Sequence, residues 1–161
     1  MKYVKPFLNE DYNFHYQFNK QGKRILDLGA DVGSTAFHFL ENGALTITAV
    51  EASENLFKIM IQNIDNDKRV TPVLCNISSS KDLTNLLNGE EDFVKVDIEG
   101  AELFLIGVSD EVIKSKKDWC IEVHSKHIEI AIKCLFEKLG FKLYNQHVVG
   151  SAKMVVLYYT Y

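Results

Sequence analysis

Residues 24–51 read RILDLGADVGSTAFHFLENGALTITAVE, and this stretch decides the fold. The short apolar run at 24–28 is closed by Gly29. Behind the turn, 34–42 reads as a helix, with Ser34 as its expected cap and Ala36, Phe37 and Leu40 on one face. Residues 45–50 then alternate apolar positions with Thr and end at Glu51, which is the pattern of a strand. Strand, glycine turn, helix and strand in that order make a β-α-β unit.

The alternation continues along the chain. Residues 53–64 place Leu56, Phe57, Met60, Ile61 and Ile64 at helical spacing behind Ser53 as cap. Strands are expected over 70–75, 93–97 and 119–124, and helices over 81–87, 99–106 and 128–139, the last stopped by Gly140. Then the rhythm breaks: strands over 141–147 and 153–160 are joined through Gly150 and Ser151 as a hairpin, with no helix between them. The expected fold is α/β, a doubly wound, mostly parallel seven-stranded sheet with helices on both faces and one antiparallel strand in the C-terminal hairpin. No repeat, linker or composition shift divides 23–161, which reads as one domain. Residues 1–22 stand apart as an aromatic-rich arm carrying Tyr3, Phe7, Tyr12, Phe14, Tyr16 and Phe18, expected to pack on the sheet edge.

Composition bounds the function. The chain has 161 residues, 47% hydrophobic and 25% charged, which are globular values and exclude wholesale disorder. No apolar run approaches the ~20 residues needed to span a bilayer, and the N-terminus lacks the apolar core and cleavage site of a secretory signal. Cys75, Cys120 and Cys134 are odd in number and scattered, which argues against a disulfide framework or a structural zinc and for a reducing, cytoplasmic setting. The net charge of −4 discourages non-specific binding to phosphate backbones, although a local basic patch could survive it, and charge says little about the partner; nucleic acid is not the expected one. Lys114, Lys116 and Lys117 read as a solvated helix end.

In a sheet of this kind ligands bind beyond the carboxyl ends of the strands. The first strand runs into Asp27-Leu28-Gly29-Ala30-Asp31-Val32-Gly33-Ser34, where glycines allow close backbone approach and the following helix offers free N–H groups. The fingerprint GxGxxG is absent, which disfavours NAD or FAD and a nicotinamide-dependent oxidoreductase. Glu51, ending the second strand, can accept two hydrogen bonds from a ribose diol, or simply favour the helix that follows. Asn76, after the third strand, suits an adenine edge or an Asx turn equally. Glycine turn and acidic strand end together point to a nucleoside-containing ligand.

The fourth strand carries the sharpest motif, Phe93-Val94-Lys95-Val96-Asp97-Ile98-Glu99-Gly100-Ala101-Glu102. Alternation sends Lys95 and Asp97 to one face, and a lysine inside a central strand is costly unless its charge is paired. The fifth strand, Trp119 to His124, projects Glu122 and His124 to one side. Asp97, Glu99, Glu122 and His124 would then stand around one hollow as an acid–base set. No metal is expected: His124 and His127 have ligand spacing but straddle a strand–helix junction, while His15, His38 and His147 have no His or Cys partner at that spacing.

KVDIEGAE (95–102), with LDLGADVG (26–33), VEAS (50–53) and IEVH (121–124), resembles the FkbM-type methyltransferases, which use S-adenosylmethionine on a Rossmann-like fold. The resemblance covers about residues 24–160. It implies that Asp27, Gly29 and Gly33 shape the cleft floor at the methionine end of the cofactor, that Glu51 holds the ribose, and that Asn76 lies near the adenine. It places Asp97 and Glu99 beside the sulfonium and the acceptor with His124 close by, His124 being the first choice of base and Asp97 or Glu99 the second. It implies O-methylation of a hydroxyl on a small molecule or sugar. The inserted segments with which many relatives build an acceptor pocket are lacking, leaving 1–22, 76–80 and 146–152 as walls. A subunit partner would fit that shortage, and so would the alternative of a non-catalytic cofactor-binding module with a regulatory or assembly role.

Overall fold

The computed structural model describes residues 18–149 and 154–161. Most of the expected arm, with His15, lies outside the described residues, as do Gly150 and Ser151 of the hairpin turn. The elements are β1 (Arg24–Leu28), α1 (Ser34–Glu41), β2 (Thr46–Glu51), α2 (Glu54–Ile64), β3 (Val70–Leu74), α3 (Ser80–Leu87) and β4 (Phe93–Val96), then a 3-10 helix (Ala101–Gly107), α4 (Asp110–Lys114), β5 (Asp118–Val123), α5 (Lys126–Lys138), β6 (Lys142–Val149) and β7 (Met154–Thr160). As expected, the strands form a seven-stranded mixed sheet flanked by helices; their order is β3-β2-β1-β4-β5-β7-β6. By internal contacts the chain divides into two compact units, residues 1–76 and 77–161.

In the first unit β1 pairs with β2 and β2 with β3, all parallel. Every residue of β1 after Arg24 is buried, so both of its faces are covered, and the run IleLeuAspLeu is continuous rather than alternating for that reason. Phe37, Phe39 and Leu40 of α1 and Met60 and Ile64 of α2 join Ile25, Leu26, Leu28, Ile47 and Val50 in the core. Phe18 packs on Phe39 with ring centres 5.4 Å apart. Ser53 caps α2 as expected, its hydroxyl accepting from the Leu56 N–H. Ser34 does not cap α1. That place belongs to Gly33 at φ 88, and Ser34 is buried in the first turn. A side chain at Gly33 would be strained by the left-handed backbone, and its Cβ would stand 3.2 Å from Met60 Cγ. Gly33→Ala is therefore expected to lower stability by about 1–2 kcal/mol, read by chemical denaturation; an unchanged midpoint would remove the conformational requirement.

In the second unit β4 and β5 are parallel, and β7 lies antiparallel between β5 and β6. The hairpin thus puts its second strand inside the sheet. Val156, Leu157, Tyr158 and Tyr159 are accordingly all buried, while Leu143 and Tyr144 of β6 are exposed. Phe136 of α5 meets Trp119 edge-on and stacks on Tyr159, with centres 5.2 Å and 4.5 Å apart.

The helix expected over 99–106 is a 3-10 helix from Ala101, followed by the unforeseen α4. Its buried positions, Glu102 and Leu105, stand three residues apart, which matches three residues per turn. Lys116 is not solvated: it is buried, donating from Nζ to the carbonyls of Gly89 and Glu91 at 2.6 and 3.2 Å, with Glu91 Oε2 at 3.8 Å.

Candidate functional site

Two groups of residues carry the chemistry, one in each unit. The first is the turn between β1 and α1. Gly29 and Ala30 both donate to the Val50 carbonyl, at 3.0 and 2.9 Å, and Gly33 donates to Ala30 at 2.8 Å. The Asp31 N–H donates to Glu51 Oε2 at 2.9 Å, with Asp31 at φ 51, a left-handed conformation that Asp tolerates better than most residues. The buried Asn63 of α2 donates its amide to the Val32 carbonyl at 2.8 Å. The loop is tied at successive residues to β2 and α2, so its shape is set before any ligand arrives.

Glu51 is the hub of this group. Only 8% exposed, it also accepts the Ser53 N–H on Oε1 at 2.7 Å. Each oxygen thus holds one backbone donor and keeps a further lone pair, which is what a diol needs. Asp27 is fully buried and accepts the Thr35 hydroxyl, bracing α1 from beneath the turn. Asn76 is exposed two residues beyond β3, where Cys75 donates to the Glu51 carbonyl at 3.0 Å. Asn63 was missed by sequence reasoning, since an Asn inside an amphipathic helix gives no sign of reaching a loop.

The second group gathers where β4 and β5 end. Lys95, 1% exposed, has its ammonium 3.7 Å from Asp97 Oδ2, the partner that its burial demands. His124 has Nδ1 2.9 Å from Glu102 Oε1, while Nε2 stands 3.6 Å from Asp97 and 3.5 Å from Glu99. Glu102 is wholly buried, and the same Oε1 accepts the N–H groups of Ile98 and Gly100 at 3.2 and 3.1 Å. That bracket holds the turn in which Glu99 takes φ 52 and turns its carboxylate to solvent.

Glu122 completes the set. Burial, and next the Asp97 carboxylate, push its carboxyl up to about 7, with Glu99 adding and His124 and Lys95 opposing. One ligand-type atom each from Asp97, Glu122 and His124 lie within 4.8 Å of one another. The Lys95 ammonium already supplies positive charge to this carboxylate-rich cluster. The raised Glu122 value has a consequence for stability. The folded state keeps a proton to about 7 that the unfolded chain loses near 4.5, so stability falls as pH rises across that window. Glu122→Gln is expected to stabilise the protein above neutrality by on the order of 1–2 kcal/mol, discounted for the partial exposure of the group, with the gain vanishing toward the acid end. Denaturation midpoints across pH check this; a gain independent of pH would show that Glu122 does not titrate as described.

No family model matches the chain. Among curated proteins, the uncharacterized protein 65 of Sulfolobus islandicus filamentous virus (isolate Iceland/Hveragerdi) is 32% identical over 106 residues, 64% of this chain. The chain spans 60% of the length of that relative. Solved structures are similar in fold. Aeropyrum pernix fibrillarin, with natively bound S-adenosyl-L-methionine, matches with a TM-score of 0.68 at 16% identity over 89% of this chain and 69% of its own. A protein in the NADB-Rossmann superfamily from Streptococcus agalactiae gives 0.71 at 13% identity over 96% and 68%. A tRNA methyltransferase of B. subtilis gives 0.70 at 13% identity over 95% and 66%. These likenesses establish a Rossmann-like fold shared with methyltransferases that use S-adenosylmethionine. No helix among the described residues is long and apolar enough to cross a membrane.

Proposed function

We propose that the chain is an S-adenosylmethionine-dependent methyltransferase acting on a hydroxyl acceptor. The observation that carries this reading is Glu51: a buried carboxylate at a strand end, oriented by two backbone donors and keeping a lone pair on each oxygen. The residues present fit the cofactor. Glu51 suits the ribose diol, Gly29 and Gly33 keep the loop free of side chains along the methionine end, Asp27 supports that loop from below, and the exposed Asn76 suits the adenine edge. The bound structural neighbour from Aeropyrum pernix supports the choice of this cofactor over NAD, as does the missing GxGxxG. The finer reading, an FkbM-type enzyme, is supported by the KVDIEGAE motif.

When bound, S-adenosylmethionine supplies an electrophilic methyl on a sulfonium. The chain's own residues have two tasks, holding the acceptor in line and receiving its hydroxyl proton. His124 is the proposed base. Asp97 and Glu99 provide negative charge near its Nε2, and Asp97 is also proposed to face the cofactor. The acceptor proposed is a small hydroxyl compound or sugar, the class that the FkbM resemblance implies. The test is transfer of labelled methyl from S-adenosylmethionine to a panel of sugars and small hydroxyl compounds, with RNA as a parallel acceptor. Transfer to a hydroxyl compound supports the proposal; transfer to RNA alone would overturn the acceptor class. Cofactor binding without transfer to any acceptor would favour the non-catalytic module.

A further inference from the structure

We infer that Glu102 is a positioning residue that holds the His124 ring as its Nδ1–H tautomer, leaving Nε2 as the nitrogen open to substrate. The ring has two unlike sides. Nδ1 lies 2.9 Å from Glu102 Oε1, a full hydrogen bond. Nε2 has carboxylate oxygens only at 3.5 and 3.6 Å, too far for a good hydrogen bond. Glu102 cannot donate while ionised, so in the neutral ring the proton on this side belongs to Nδ1. The lone pair is then on Nε2, on the side of Asp97 and Glu99, and His124 is 13% exposed.

Glu102 is suited to this task because it cannot move. It is fully buried, and Oε1 is pinned by the N–H groups of Ile98 and Gly100. Its Oε2 makes no hydrogen bond among the described residues. A buried carboxylate with one oxygen unmatched is costly, and a turn alone could be braced more cheaply by a neutral acceptor. The arrangement is that of a base oriented through its far nitrogen by a buried carboxylate. A proton arriving at Nε2 creates an imidazolium whose new N–H meets Asp97 and Glu99. Their charges lie where they stabilise it, and Glu102 continues to accept from Nδ1. In that step the acceptor O–H bond breaks and an N–H bond forms at Nε2, the oxygen keeping the electron pair; transfer of the methyl to that oxygen would break the methyl–sulfur bond, whose pair would leave on sulfur as the neutral thioether.

The use of this orientation in catalysis rests on the methyltransferase reading, but the tautomer does not, and the experiment separates them. Long-range proton–nitrogen spectra of the full chain, labelled at histidine and assigned with His124→Gln, report which ring nitrogen carries the proton at a pH where the ring is neutral. The wild-type spectrum is expected to show Nδ1–H. Glu102→Gln, whose amide oxygen still accepts, is expected to keep it, whereas Glu102→Met is expected to shift the ring to the Nε2–H form that an unconstrained imidazole favours. Nε2–H in the wild type, or an unchanged tautomer in folded Glu102→Met, overturns the inference. Should Glu102→Met fail to fold, the wild-type spectrum still decides. The expected tautomer in a protein that transfers no methyl would leave the orientation standing and remove the catalytic use.

Discussion

His124→Ala is expected to lower the rate of methyl transfer by roughly 10²–10⁴-fold, the range for loss of a positioned general base, while the affinity for S-adenosylhomocysteine stays unchanged. The separation follows from the tasks assigned to the residues. His124 is proposed as the base, while the groups proposed to hold the cofactor's ribose and methionine end are Glu51, Gly29 and Gly33. Removing the ring leaves Glu102 Oε1 with its two backbone donors, so the turn at 98–100 keeps its bracket. Lys95 and Asp97 keep their ion pair. The variant should fold, bind and fail to turn over. Single-turnover kinetics with saturating cofactor measures the loss, and a rate equal to that of the wild type would remove His124 from the chemistry.

The second large effect concerns Glu51. Glu51→Ala is expected to weaken S-adenosylhomocysteine binding by ~1–3 kcal/mol, the range for hydroxyls left without their acceptor. Two causes act together. The ribose diol loses both carboxylate oxygens, and the loop loses the tether that fixes Asp31 and Ser53. Asp31→Asn serves as the control: only the backbone N–H of Asp31 reaches Glu51, and Asn tolerates the left-handed conformation found there. It should bind as the wild type does. Equal affinity in Glu51→Ala would remove the ribose role, and a loss in Asp31→Asn would show that the Asp31 carboxylate itself contributes to binding.

The sheet was legible because each strand carries its own signal. Short, mostly apolar runs such as residues 24–28 mark strands, and Ser53 announces its helix as a cap. The break in alternation after Gly140 correctly revealed the hairpin. That β7 lies inside the sheet and β6 at its edge was not drawn from the sequence, although VVLYY is more continuously apolar than KLYNQHVV. The 3-10 helix was read as an ordinary helix, and nothing in the sequence marks Glu102 as buried. Its burial depends on Ile98, Gly100 and His124, brought to it by the turn and by β5. Lys116 misled for the same reason: a lysine in a charge run reads as solvated unless the carbonyls it reaches, some 25 residues earlier, are known. Lys95 was the opposite case, since its place in a strand required a partner and the partner is Asp97.

The turn at 29–33 and Glu51 are proposed to make a site for S-adenosylmethionine. Calorimetric titration of the purified protein with S-adenosylhomocysteine, with NAD as the parallel ligand, tests it most directly. Saturable binding of S-adenosylhomocysteine and none of NAD is the expected result. No binding of S-adenosylhomocysteine, or preferential binding of NAD, would contradict it.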